Sequence, residues 1–444
     1  MHRRSRRPRP GTGRARTRSA ALAGALALAC AALPSMEPGE GTPAEHDVLA
    51  RAVDDLHASL DEAERAVRAS AAFGSDIERA RGYEFLLRSL VQSVEAELLQ
   101  DADYPYFRIL DFWLRGGGDN PDQRYAFASI RGGEAYRIWG TVGSARRVEV
   151  QLYAGQPWAG TGRSVGYLTF EEIEVAPDGS FVIELVPEAQ ATAATPRKSR
   201  LANPGDTTSV FVRHIFDHWD ARPTGDAHID RVGFEGRRKP APTPEGTAAR
   251  IRATAANFAL RAKTWPAFVE QRYVEARTAN GLSPLVDTYA LGGARGRWMA
   301  NGYYDLPDGK VLVVKTWPTT AAYQAVQLTD LWFDSLEYGN QVSSLNTTQT
   351  LRAPDGAYYL VVAPDDPGYA NWLDTGGLRR GTLLLRYDGV HGDVPPSQHP
   401  SAALVDIADL PAHIPGFAAD GANEAEREAV RRLRRRHLQL RSHR

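Results

Sequence analysis

One turn is written twice in this chain. Ala176-Pro177-Asp178-Gly179-Ser180-Phe181 and Ala353-Pro354-Asp355-Gly356-Ala357-Tyr358 share an alanine, a Pro-Asp-Gly turn and an aromatic, and strand-like runs flank both. Asp-Gly suits a hairpin because glycine accepts the positive φ the turn demands. A third relative, Leu306-Pro307-Asp308-Gly309-Lys310, opens the second of these regions. The echo predicts two related β modules joined in one chain.

Period-two alternation places the strands. The first module is expected to hold them at 124–130, 134–140, 146–154, 166–175, 180–186 and 208–216, with 188–209 as a long polar loop. The second is expected to hold them at 310–316, 323–333, 346–352, 356–363 and 381–387. Helical spacing puts Val48, Leu49, Val53, Leu56, Leu60, Ala63 and Val67 on one stripe, and Tyr83, Leu86, Leu87, Leu90 and Val94 on another. Ser75 and Asp76 are N-cap candidates. The proline-rich 237–247 reads as a linker, and Pro266 as a first-turn residue of a helix within 246–280. The fold class is therefore mainly β with helical additions (α+β). Two related antiparallel β-sandwich or jelly-roll-like modules carry N-terminal helices, a helical linker and a C-terminal helix. The divisions fall at 1–44 (basic, alanine-rich extension), 45–115 (helices), 116–236 (first module), 237–298 (linker and helices), 299–395 (second module) and 396–444 (tail).

The net charge of −1 hides an asymmetry. Residues 1–18 hold eight arginines and no acid, and residues 427–444 hold eight arginines and one glutamate; the remaining body has 37 basic against 53 acidic residues. An acidic body argues against a nucleic-acid groove, which needs clustered basic side chains. The basic ends read as solvated or helix-terminal charge. Cys30 is the only cysteine, so no intramolecular disulfide or thiolate cluster is expected. The basic start followed by Ser19–Leu33 resembles an export signal with a small-x-small site at Ala27–Ala29. A lipoprotein signal fits poorly around Cys30, and translation from Met36 with a cytoplasmic product is the competing reading. The alanine-rich run is too short for a stable transmembrane span.

Several clusters carry candidate chemistry. His214 and His218 would share a helix face and suit zinc, but the β-branched surroundings favour a strand, where they stand about 13 Å apart. Asp119-Asn120-Pro121-Asp122 follows Gly116–Gly118 and precedes Tyr125; Asx-Pro builds tight turns, and the same groups suit a pocket wall. Asn371, Trp372 and Asp374 follow Pro367-Gly368 in a loop, where an aromatic beside amide and carboxylate suits a sugar or small polar ligand. The bland alternative is a tryptophan plugging the sandwich while Asn371 caps the loop. Arg137, Arg213 and Arg386 interrupt apolar strands, and any that point inward need an anionic partner. No GxSxG, P-loop, Rossmann fingerprint or HExxH occurs, so no cofactor or metal is expected.

The stretch from Gly302 through Gly389 resembles domain of unknown function 1214. The markers are Asn346, Asp355-Gly356, Pro367-Gly368, Asn371-Trp372-Leu373 and a glycine-led final strand ending in Arg386. Upstream, RARGYEFLLRSL, DNPDQRYAFASIRGGEAYRIWG and SVFVRHIFDHWD look like the arrangement that accompanies this domain in actinobacterial proteins. The resemblance covers roughly 45–440 and implies a sandwich or jelly-roll-like core, often in two modules, with no catalytic residue to carry over. The expected function is binding of a small polar or carbohydrate-like ligand, with Asn371, Trp372, Asp374, Asp119, Asn120, Tyr125, Asn346 and Arg386 as candidates. Alternatives are a hydrolase using carboxylates such as Asp119, Asp122, Asp355 or Asp374, and a structural assembly module that oligomerises.

Overall fold

A computed structural model describes residues 43–110, 112–156, 162–191, 198–220, 222–276, 278–289 and 295–442. The signal-like segment and Cys30 lie outside these residues. The compact unit considered below begins at Leu49.

The first module contains β1 (Arg108–Leu110), β2 (Gln123–Ser129), β3 (Tyr136–Thr141), β4 (Arg147–Ala154), β5 (Arg163–Leu168), β6 (Ser180–Pro187), β7 (Arg200–Asn203), β8 (Thr207–Ile215) and β9 (Asp226–Arg231). They form one sheet of order β1-β2-β8-β4-β5 and another of order β7-β6-β3-β9. The second module contains β10 (Gly281–Leu282), β11 (Val286–Asp287), β12 (Trp298–Asp305), β13 (Lys310–Thr316), β14 (Tyr323–Thr329), β15 (Ser344–Asn346), β16 (Tyr358–Ala363), β17 (Trp372–Asp374), β18 (Arg380–Asp388) and β19 (Ser401–Asp406). Its orders are β10-β12-β18-β14-β15, with β11 also on β12, and β17-β16-β13-β19.

Adding ten to each label from β2 to β9 converts one module's topology into the other's. The match extends to the parallel pairs, β6–β7 and β16–β17, in otherwise antiparallel sheets. It also includes the doubled turn. Ala176 N–H donates to Ser180 O at 2.8 Å and Ala353 N–H to Ala357 O at 2.9 Å, with Gly179 at φ 85° and Gly356 at φ 89°. The chain is α+β with two related sandwich modules, as expected.

Several boundaries differ from the sequence reading. The run 166–175 leaves the sheet at Leu168 and closes as a single helical turn at Phe170–Glu172. The run 323–333 stops at Thr329 because the chain turns through Phe333 at φ 66°. Trp372 and Asp374, expected in a loop, lie instead on β17, the counterpart of β7 in its parallel pairing.

Within each module the two sheets bury one face against each other, through Ile138, Val150, Ile183 and Val212 in the first and Leu312, Val326, Leu360 and Leu385 in the second. Alternation sends the intervening side chains of β2, β4 and β8, and of β12, β14 and β18, the other way. These two inner faces meet. Ile215 packs on Tyr323 and Ala325, and Gln327 Nε2 donates to Asp119 O at 2.7 Å.

Helices α1 (Pro43–Ala69), α2 (Asp76–Ser93) and α3 (Pro244–Val269) cover the rest of the second inner sheet around Trp332, Phe333, Tyr303 and Leu384. Ser75 is the N-cap of α2, one of the two candidates read from the sequence, and completes a capping box with Glu78. The buried faces are rotated from the predicted stripes. Ala52, Ser59, Ala63 and Val67 are buried on α1 while Val53 and Leu60 face out; Gly82, Phe85 and Leu86 are buried on α2 while Tyr83 and Leu87 face out. Small residues win these positions because a Cβ on Gly82 would stand 2.7 Å from the Trp332 ring. Pro266 lies near the end of α3, not in its first turn, and the wide turn Glu270–Val274 follows it. No helix among the described residues is long and apolar enough to cross a membrane.

The C-terminal helix α4 (Glu424–Ser442) departs from the expectation of solvated charge. Arg434 donates to Tyr338 O at 2.8 Å and to Ser344 Oγ at 2.9 Å, and Arg441 to Pro121 O at 2.6 Å; both are buried.

Candidate functional site

The inner faces do not close completely, and a cavity of about 230 Å³ remains where both modules meet α2 and α3. Its rim begins at Gly116–Asp119. Asp119 fixes this loop, accepting from Gly116 N at 3.0 Å and from Ser335 Oγ at 2.8 Å. Burial raises its carboxyl, opposed by the Ser335 bond and Arg115. Gly118 sits at φ 66°, and a Cβ there would lie 2.6 Å from Phe333, so the loop needs glycine. Gly118 N donates to Phe333 O at 2.7 Å, and its carbonyl accepts from Arg386.

Five arginines line the cavity: Arg108, Arg213, Arg261, Arg297 and Arg386. Arg213 is at the seventh position of β8 and Arg386 at the seventh of β18, the equivalent place in the repeat. Arg213 donates to Tyr153 Oη at 3.2 Å and lies over the Tyr125 and Phe211 rings, while its buried Nη1 has no hydrogen-bond partner. Arg386 donates to Gln327 Oε1 at 2.5 Å. Neither is paired with a carboxylate among the described residues. Arg297 differs, forming a fork with Asp388 (Nη2 at 2.9 Å). Arg108 meets Glu95 at 2.6 Å, and Arg261 donates to Asn257 Oδ1 and Gln92 Oε1, both at 2.7 Å. Burial, then repulsion from Arg108, pushes Arg261 down to about 9. Asp119 is the carboxylate on the wall, and Trp265, Phe127, Phe211 and Met299 supply apolar surface.

No family model and no curated protein matches the sequence. A solved structure does. The crystal structure of an uncharacterized protein from Burkholderia cenocepacia superposes with a TM-score of 0.74 at 24% identity, covering 82% of this chain and 100% of that one. The fold is shared with that protein. The VPA0106 protein from Vibrio parahaemolyticus gives a TM-score of 0.40 at 10% identity over 78% of this chain and 100% of that one, too low to carry an argument.

Of the residues singled out in the sequence, Asp119, Tyr125, Arg213 and Arg386 line the cavity, together with Gly116–Gly118. Asn120 stands behind it, its Nδ2 donating to Tyr323 Oη at 3.0 Å and its N–H to Tyr125 Oη at 3.0 Å. Asn346, Asn371, Trp372 and Asp374 lie elsewhere in the second module. Asn371 is buried and bridges strands, accepting from Leu351 N at 2.8 Å and donating to Leu351 O at 2.8 Å and Tyr359 O at 3.0 Å. It also borders a groove of about 640 Å³ beside α4. Half-buried Trp372 donates to Ala363 O at 3.0 Å under Arg427. Asp374 accepts from Gly376 N at 2.7 Å, and Asn346 Oδ1 from Thr348 Oγ1 at 2.7 Å. Asp122 and Asp355 likewise hold local structure, Asp122 with Trp219 and Tyr323, and Asp355 with Lys315 and Tyr359.

His214 faces the first core, its Nε2 donating to Thr141 O at 2.9 Å, and burial lowers it to about 3; His218 lies exposed beyond the strand. Among the described residues no three His, Cys, Asp or Glu groups are placed to hold a metal ion. Sequence reasoning missed Arg108, Arg261 and Arg297. The usable signal was the shared seventh-place arginine of TTSVFVRHI and RGTLLLRYD.

Proposed function

We propose that the protein binds a small acidic molecule in the arginine-lined cavity between its modules. The observation that carries this reading is the pair Arg213 and Arg386, one from each module, at a cavity wall without a carboxylate partner among the described residues. A buried cation lacking an anion is costly, and a bidentate carboxylate or phosphate offsets that cost. The volume suits a small metabolite rather than a drug-sized ligand. An acidic sugar falls within the reading, with its ring against Trp265 or Phe127. Membership of the domain of unknown function 1214 family is part of the same proposal, supported by Arg386 and the Asn371-Trp372-Leu373 motif.

Binding stabilises the native state, so thermal shift is a direct assay. Small carboxylates and phosphates at millimolar concentration are expected to raise Tm, while neutral sugars of equal size leave it unchanged. Arg213→Gln and Arg386→Gln should each abolish the rise. An unchanged Tm with every anion, or equal shifts in the wild type and both variants, would remove the proposal.

A further inference from the structure

Two glutamines line the cavity, and the protein uses them differently. Gln92 is bonded at both ends of its amide: Nε2 donates to Leu114 O at 2.9 Å and Arg115 O at 3.1 Å, and Oε1 accepts from Arg261 at 2.7 Å. Gln123 is only 4% exposed, yet its side-chain amide makes no hydrogen bond among the described residues. A buried amide without partners is costly, whereas an apolar side chain of the same shape would not be. Water can meet the amide until a ligand enters, and a ligand that displaces it must reproduce its bonds.

The free amide stands beside the anion seat. Tyr125 lies directly opposite Arg213 across β2 and β8, with Cα atoms about 5 Å apart, and Gln123 is about 7 Å further along β2 on the same face. Tyr125 Oη accepts from Asn120 N–H at 3.0 Å and has its own hydrogen to give; burial raises the phenol, which keeps that hydrogen in place. Asp119, the carboxylate of the wall, is occupied: one oxygen accepts from Gly116 N and Ser335 N, the other from Ser335 Oγ.

The amide narrows what can lie next to the acid group. It both donates and accepts. A second acid group can only accept, an ammonium can only donate and is repelled by the arginines, and an alkyl chain does neither. A hydroxyl does both, and in about 230 Å³ it is the smallest group that can. It fits whichever way the amide is turned.

Resting on the anion-binding reading above, we infer that the ligand is a short hydroxy acid, its carboxylate at Arg213, Arg386 and the Tyr125 O–H and its hydroxyl on the Gln123 amide. Gln123 then sets specificity, because a plain acid of the same length leaves the amide without a partner.

Calorimetric titration of the full chain compares lactate with propionate and 3-hydroxybutyrate with butyrate. At least one hydroxy acid is expected to bind about tenfold or more tightly than its plain counterpart, the scale of one buried hydrogen bond. Gln123→Met keeps the shape and removes the amide, and should bring that ratio to within about twofold. Its urea midpoint should not fall below wild type, since no bond within the protein is lost. Gln123→Glu should weaken binding of all four acids by setting a carboxylate beside the arginines. Equal binding within both pairs, a ratio that survives in Gln123→Met, a fallen midpoint, or a Gln123→Glu variant that binds as wild type does would each overturn the hydroxyl assignment while the anion site stands. If no acid binds, both readings fall.

Discussion

Replacing Asp122 with alanine should strip the molecule of much of its stability. The carboxylate is fully buried; one oxygen accepts from Trp219 Nε1 at 2.7 Å and the other from Tyr323 Oη at 2.7 Å. Arg434 and Arg441 lie over the Trp219 ring at 4.1 and 4.5 Å, and the Asp122 carboxyl, although its own burial raises its pKa, favours their charged forms against burial. Alanine leaves two buried donors short of an acceptor, at about 1–3 kcal/mol each. It also removes the counter-charge of two buried guanidiniums, a class of change that costs about 3–5 kcal/mol. These are two views of one loss, so about 3–5 kcal/mol is the total. The milder change Asp122→Asn keeps the volume and one acceptor, for a cost of about 1–3 kcal/mol. Urea unfolding followed by tryptophan fluorescence reads this directly. With a slope of about 3 kcal/mol per molar or more for a chain this long, the alanine variant's midpoint should drop by about 1 M, with the asparagine variant between it and wild type. A midpoint within about 0.2 M of wild type for Asp122→Ala would refute the role assigned to this carboxylate.

Three further outcomes are expected. Asn371→Ala leaves Leu351 and Tyr359 backbone groups unbonded and should cost about 3 kcal/mol in urea unfolding. Gly118→Ala, forced into φ 66° against Phe333, should cost at least about 1–2 kcal/mol and weaken anion binding by displacing the carbonyl that holds Arg386. Asp334 concerns pH. Burial first, then the Asp330 carboxylate, raises it despite Arg88 at 2.6 Å, so the folded chain holds this proton to higher pH than the unfolded chain does. Its contribution is therefore fully present below about pH 4, where the unfolded group titrates, and is lost as pH rises through the folded value. Asp334→Asn should gain stability relative to wild type between about pH 5 and 8, measured as the difference in urea midpoints; a flat or falling difference counts against the assignment.

What could be read from the sequence follows from where burial is one-sided. β3 and β6 alternate because only one face of each meets a core, and the Pro-Asp-Gly hairpins show because their geometry demands glycine. β12 was missed because Asn301-Gly302 breaks the strand signal in its middle, and β9 because its edge sequence Asp226–Arg231 is polar. The helix faces were misjudged because large Val53, Leu60 and Leu87 point outward while small residues make the close contacts. The cavity joins Arg108, Arg261 and Arg386, far apart in sequence, and no local pattern announces such a meeting. Only the strand-interior arginines hinted at it, and their direction depends on what the inner faces pack against.

Helix α4 follows both modules along the chain yet grips both. Arg441 reaches Pro121, His437 Nδ1 meets Asp220 O at 2.9 Å, and Arg434 reaches Ser344. During synthesis the two modules therefore emerge before the element that ties them together. Until α4 arrives, Trp219 and Asp122 lack the arginines that cover them, and a nascent chain stalled before Glu424 would expose that seam to chaperones and proteases.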